Sequence, residues 1–325
     1  MKTFEVVTIG SALKDIMFYS DELFVLKNEG DVRRQKLLAV EYGAKIAIND
    51  VFVNYGGSAM NVAIGLDNFG ILAAPMVNVG YDQVGKEIYS YLKSKGISSL
   101  LLRVDKRKRT GFSIILTAAK DKEHTIFSYK GASEDLEIFG LRDFRTDWFY
   151  VAPLGMKSWA LEFEKIEREA RRGVKIAWNP GERQLNEAKT FIRFLSLIEI
   201  LILNKDEAVE LVKNDKPRTS KTKLDDSRFL LKTIKDFGPR NVVITQGPRG
   251  AAAIDAKNRF YYEPAHSVSE RIVDTVGAGD AFASGLVAGF IRSHDFGKAL
   301  TLAIRNSAAV LYRVGAQNGL LKIKL

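Results

Sequence analysis

From residue 148 onward the chain alternates short apolar runs with helix-period segments almost without interruption. Residues 148–152, 174–178, 200–203 and 241–245 read as strands. Residues 158–172, 187–198, 206–213, 227–237, 278–292 and 296–312 read as helices. Strands and helices spaced in this way form βαβ units, which build a mostly parallel sheet covered on both faces. The strands 6–10 and 75–80 and the helices 58–69 and 84–95 follow the same rule, each helix stopped by a glycine, Gly70 or Gly96. Residues 251–254 and 259–262 read as a hairpin. Two regions break the pattern. Residues 12–54 are polar and mixed, with strand-like alternation over 45–53. Residues 110–118 and 125–129 form a hairpin around the polar turn 120–123. These two regions are expected to make one small sheet standing off the main domain. The main domain is then 1–11, 55–108 and 131–325, and the small β unit is 12–54 and 109–130.

Composition removes several chemistries. The 325 residues are 46% hydrophobic and 27% charged, as in a globular chain with room for a large core. Length alone fits two domains or one large α/β domain with an appendage. There is no cysteine, which excludes disulfides, a cysteine nucleophile, thiolate zinc and iron–sulfur clusters. His124, His266 and His294 are too far apart in sequence to favour a histidine metal site or a catalytic triad. No run of about 18 apolar residues is present, so no membrane span is expected. The N-terminus enters a strand directly, without the basic start and apolar core of a signal peptide; the expectation is a soluble, cytoplasmic protein.

The net charge of +10 would assist binding to nucleic acid, a membrane surface or an anionic ligand. The excess sits in residues 103–109 and 213–228, which read as solvated loops. Neither is interleaved with aromatic residues, as a single-strand binding surface would be. A basic rim that attracts a polyanionic nucleotide is the better use.

Ligands of open α/β sheets bind at the carboxyl ends of strands. One such place, Gly80 to Glu87 (GYDQVGKE), approaches the phosphate-loop pattern G-x-x-x-x-G-K-[ST]. It fails where Glu87 replaces the hydroxyl that would hold Mg²⁺, and Asp82 would put a negative charge among phosphates. A strand-to-helix turn accounts for the glycines, with Asp82 free to face a ligand. The run from Asp274 to Gly285 (DTVGAGDAFASG) is more informative. Gly277-Ala278-Gly279 at a helix start lets backbone N–H groups approach an anion, and the helix dipole favours it. Asp280 in the first turn is placed to take a proton from an attacking hydroxyl. A capped helix with small residues for packing would explain the glycines but not the two aspartates.

Asp274 to Phe282 (DTVGAGDAF) resembles the C-terminal signature of the ribokinase-like, PfkB-type carbohydrate kinase family, and Gly56 to Ala63 (GGSAMNVA) resembles its N-terminal signature. Weaker matches lie in order at Asp15, at 204–207, at 245–250 and at 306–317, so the resemblance covers essentially the whole chain. It implies a three-layer α/β/α fold with a mostly parallel central sheet and a small β-sheet lid. It also implies an ATP-dependent kinase acting on a hydroxyl of a sugar or nucleoside. In that reading Asp280 is the base, and the backbone of Gly277, Ala278 and Gly279 forms the anion hole. Glu207 organises Mg²⁺ through water, together with Asn204. Thr245, Gly247 and Gly250 match the nucleotide loop, and Asn306 falls where the family lines the adenine pocket. Asp15 and Asn61 match residues that bond sugar hydroxyls, Gly56 and Gly57 admit the ligand to the backbone, and Phe112 on the lid is an apolar wall. Asp274 and the 309–317 turn resemble loops that bind K⁺. A lid edge paired in a homodimer is a further implication. Ser58 departs from the lysine of ribokinases proper and also occurs in adenosine-kinase-like members, which makes ribose a weaker candidate and leaves sugar and nucleoside open. The alternative of another class is a non-catalytic ligand sensor or nucleic-acid-binding protein on a kinase fold.

Overall fold

The structure is a computed structural model and describes residues 1–27, 36–118, 124–266 and 272–324. Its centre is a nine-stranded sheet. Strand β1 (Lys2–Ile9) lies between β10 (Phe144–Val151) and β6 (Ala73–Gly80), with β7 (Leu102–Asp105) beyond β6. On the other side β11 (Lys175–Trp178), β12 (Ile200–Asn204) and β13 (Asn241–Thr245) follow β10, all parallel. The antiparallel pair β14 (Ala251–Ile254) and β15 (Phe260–Glu263) closes that edge.

Because side chains alternate along a strand, each strand feeds two cores. Val6, Tyr150 and Ala177 face a layer made of α1 (Ser58–Asn68), α2 (Gln83–Ser94), α9 (Ala278–Ser293) and α10 (Phe296–Val310). Val7, Phe149 and Ile176 face the other layer. That layer holds α3 (Trp159–Ala170), α4 (Glu182–Asn186), α5 (Ala188–Ile192), α6 (Lys205–Asp215), α7 (Lys221–Asp225) and α8 (Ser227–Lys235). The result is the expected three-layer arrangement. The α1–α9–α10 contact is built from small residues: a side chain at Gly65 would strike Ser284, and one at Gly285 would strike Ala303 of α10. Backbones packed this closely bring the starts of α1 and α9 to one place.

The two β-rich regions meet in a four-stranded sheet ordered β5 (Asp50–Gly56), β2 (Leu13–Ser20), β8 (Gly111–Ala118), β9 (His124–Tyr129). β2 and β8 run parallel, and the outer pairs are antiparallel. β3 (Phe24–Lys27) and β4 (Lys36–Ala39) pair separately. The proposed turn 120–123 lies outside the described residues.

Four expectations change. Residues 103–105 are not loop: with Leu102 they form β7, an edge strand on Val77–Gly80 whose charged side chains suit an unpaired edge. Of the helix expected over 187–198 only α5 is α-helical: the chain turns after Ile192, with a single 3-10 turn at Leu195–Leu197 and the separate short helix α4 before it, and Phe191, Phe194 and Leu195 are all buried with Trp178 and its neighbours. The loop 213–228 contains α7, which buries Leu224. The alternation over 45–53 becomes strand only from Asp50, because Ala47 bonds instead to the side chains of Ser20 and Glu22.

Candidate active site

Helix α9 begins at the carboxyl end of the sheet with Gly277 as its cap, in the left-handed region at φ 80°. A side chain there would also meet the Ala316 Cβ at 2.2 Å, so both conformation and contact require glycine. A side chain at Gly279 would meet nothing within 4 Å, so this turn faces open space. The first amides of a helix lack intrahelical partners, and here they are turned toward that opening with the positive end of the dipole behind them.

Asp280 follows in the same turn, half-buried. Its Oδ2 accepts a hydrogen bond from Asn61 Nδ2 at 2.8 Å, and Ser58 donates a second. Burial pushes the Asp280 carboxyl above the ordinary carboxylate range, and the bonds from Asn61 and Ser58 pull against it. Asn61 and Ser58 both come from the first turn of α1. Gly57 caps that helix at φ 99°, and a side chain there would strike the Ser11 carbonyl.

Asp15 lies in β2 and is buried, 8% exposed. Burial pushes its carboxyl up to about 6; a Ser113 hydrogen bond and Lys130 oppose this, while the charges of Asp280 and Asp274 add to it. A side chain at Gly56 would come within 2.6 Å of Asp15 Oδ2, which is why the neighbouring strand ends in glycine. Asp15, Gly56, Asn61 and Asp280 are therefore gathered at one point. Beside them a cleft of about 320 Å³ is lined by Ser11, Ser58, Lys130, Leu154, Met156 and Arg183.

On the other side of α9 a second pocket, about 490 Å³, joins Asn204, Thr245, Gly247 and Gly250 to Ala278 and Gly279. Asn204 and Glu207 form a reciprocal capping box at the start of α6: Glu207 N donates to Asn204 Oδ1 at 2.9 Å, and Asn204 N donates to Glu207 Oε2 at 2.8 Å. Burial raises the Glu207 carboxyl. Asp274 ties two loops together, accepting from Val276 N at 3.0 Å and from Gly315 N at 2.8 Å.

Three residues sit elsewhere than expected. Phe112 is in register with Lys14, one residue off Asp15, so it points from the opposite face of the small sheet and packs on Tyr129. Asn306 is fully buried; its amide donates to Ala281 O at 2.7 Å and accepts from Leu321 N at 3.0 Å. It lies under the second pocket, whose wall is formed by Ile304 and Ser307. Asp82 does not face a ligand: it caps α2 and accepts from Thr110 N and Oγ1 at 2.8 and 2.7 Å. Two residues to which the sequence assigned no role of their own join the site. Gln317 donates to Asn61 Oδ1 at 2.7 Å. Tyr150, fully buried on the central strand, feels the charges of Asp280 and Glu207, and among the described residues its hydroxyl has no partner. A buried tyrosine mid-strand is indistinguishable from core in sequence.

Known proteins resemble the chain over most of its length. The pattern of the pfkB family of carbohydrate kinases matches residues 5–323. Aminoimidazole riboside kinase of Salmonella typhimurium is 28% identical over 272 residues, covering 78% of this chain and 79% of that protein. ATP-dependent 6-phosphofructokinase of Thermoanaerobacterium thermosaccharolyticum is 24% identical over 328 residues, covering 97% and 90%. Among solved structures, the nucleoside kinase of Burkholderia thailandensis in complex with inosine superposes with a TM-score of 0.76 at 21% identity, covering 97% of this chain and 92% of that one.

Proposed function

The chain belongs to the pfkB family of carbohydrate kinases and is a phosphotransferase with an alcohol group as acceptor, and on that basis we propose that it transfers the γ-phosphoryl group of ATP to a hydroxyl of a sugar or nucleoside, with Asp280 as the base. The observation that carries this reading is Asp280 itself: a carboxylate of raised basicity in the first turn of a helix whose glycine-lined start is open to an anion. The acceptor occupies the cleft beside Asp15, Gly56 and Asn61, where a carboxylate can take hydrogen bonds from two vicinal hydroxyls. Its hydroxyl gives its proton to Asp280 as the oxygen attacks the phosphorus. The amides of Gly277, Ala278 and Gly279 take the charge of the phosphoryl oxygens. ATP lies along Asn204, Thr245, Gly247 and Gly250.

The donor set suits Mg²⁺. Among the described residues no three acidic or histidine side chains gather into a cage. Mg²⁺ keeps water and phosphate ligands beside one or two carboxylates, and Glu207 with Asn204 supplies that corner. When bound, the ion neutralises phosphate charge. K⁺, if the protein uses it, would lie at the loops tied by Asp274. The partner we assign is a second copy of the chain, through the outer face of the small sheet, where Val51, Val53, Phe127 and Tyr129 are exposed. No helix among the described residues is long and apolar enough to cross a membrane. A non-catalytic role has no support, since the family and the relatives compared are kinases.

The test is ADP release from Mg-ATP across a panel of sugars and nucleosides, with Asp280→Asn alongside. The expected result is one strong acceptor and a fall in kcat of about a hundred- to ten-thousand-fold in the variant, with the KM for ATP retained. Turnover near wild type in Asp280→Asn would remove Asp280 from the mechanism.

A further inference from the structure

Four side chains from four parts of the fold form an unbroken line of hydrogen bonds that ends on Asp280. Tyr91 on α2 donates its hydroxyl to Gln317 Oε1 at 2.7 Å. Gln317, in the C-terminal turn after α10, donates through Nε2 to Asn61 Oδ1 at 2.7 Å and to the Tyr55 carbonyl at 2.8 Å. Asn61 on α1 donates through Nδ2 to Asp280 Oδ2 at 2.8 Å. Every step donates in the same direction. An amide has one oxygen and one NH₂, so its orientation is fixed by what its two ends meet. The Tyr91 hydroxyl meets the oxygen of Gln317 and thereby turns its NH₂ toward Asn61. Gln317 in turn occupies the oxygen of Asn61 and leaves the NH₂ for Asp280.

We propose that Gln317 is a positioning residue for the phosphoryl transfer: it locks Asn61 with its NH₂ on Asp280 Oδ2, which favours the ionised carboxylate that receives the proton of the acceptor hydroxyl. The same NH₂ of Gln317 holds the last residue but one of β5, so the small sheet is seated by the group that orients the base. This rests on the reading of Asp280 as the base. The groups facing Asp280 are Asp15 from β2, Tyr150 from β10, and Ser58 and Asn61 from α1; Tyr150 also faces Glu207 of α6, and Lys130 faces Asp15. Burial pushes the Asp280 proton affinity up, and only the bonds from Asn61 and Ser58 oppose it directly, so loss of the Asn61 orientation leaves the Ser58 bond alone against it.

Gln317→Met keeps length and removes both polar ends, and Tyr91→Phe removes only the hydroxyl that starts the line. The carboxyl titration of Asp280 is read by carbon-13 NMR, its resonance assigned by its absence in Asp280→Asn. In Gln317→Met the midpoint should rise by about half a unit to one unit, the worth of one hydrogen bond. The acid limb of kcat/KM for the acceptor should rise with it, at unchanged KM for ATP. Tyr91→Phe should move both in the same direction by less. A midpoint unmoved or lowered in Gln317→Met overturns the proposal. Should that variant not fold, an unmoved midpoint in Tyr91→Phe does so alone. Absence of phosphoryl transfer by the wild-type protein to every acceptor would count against the kinase reading, while the titration still decides the relay.

Discussion

Asp15 shows how a single buried position can cost the fold stability. Its carboxyl titrates near 6 in the native structure against 3.8 as the ordinary value. The native state therefore holds this proton more tightly than the unfolded chain, and stability falls as pH rises from about 4 to 6. At pH 7.5 the ionised, buried group costs on the order of 2–3 kcal/mol. Asp15→Asn should accordingly melt higher than wild type at pH 7.5, with the difference narrowing toward pH 5, and should raise the KM for the acceptor. Thermal melts at both pH values check this, and equal melting temperatures at pH 7.5 would contradict it. The types of Asp15, Asn61 and Asp280 stand out in sequence because each is polar where the surrounding pattern is small or apolar. Gln317 does not stand out: its partners are 256 and 262 residues away, and a contact of that kind leaves no periodic trace. Phe112 was misplaced for the complementary reason. Strand alternation gives two faces but does not say which one meets the ligand, and the answer comes only from its register with Lys14.

At the scale of elements, the small sheet presents two unlike faces. Asp15 and Met17 share one with Ser113 and Ile115, and Met17 and Ile115 are buried. The other carries Val51, Val53, Phe127 and Tyr129, with Phe127 57% exposed and Val51 54%. An apolar face of this kind suits an interface, and a face meeting its own copy about a two-fold axis needs no second partner. The wild-type protein should elute and scatter as a dimer, and the double variant Val53→Asp, Phe127→Asp as a monomer, by light scattering on a sizing column. A monomeric wild type would refute the assignment. Long, periodic elements such as α2, α9 and α10 were legible within a residue or two. Those that tertiary packing decides were not: β7 exists because β6 offers it an edge, and α5 stops at Ile192 where the chain turns and buries Phe194 and Leu195.

Over the whole molecule, the alternation of strands and helices made the parallel sheet readable, and the two interruptions marked the small sheet. What the alternation could not give is how those interruptions join. The structure pairs residues 13–20 with 111–118 in parallel, with α1, β6, α2 and β7 lying between them in the chain. Pairing over that separation closes a long loop, and the entropy of closure must be met before the strand contacts return anything. The β1–β6 and β6–β7 pairs close shorter loops and can form first. Pulsed hydrogen exchange during refolding should therefore find the amides of β1 and β6 protected before those shared by β2 and β8; the reverse order would contradict this.

That pairing also bears on the life of the finished protein. The segment that carries Asp15 leaves the main sheet after β1 and is held in its own sheet on one side by β5, near it in the chain, and on the other by β8, much later in the chain. A brief separation of β2 from β8 would release β2 and β5 together while the nine-stranded sheet stayed intact. The seam between β2 and β8 should thus be a part of the molecule with a short memory of its native state, opening before the nine-stranded sheet when the chain is heated, diluted into urea or offered to a protease.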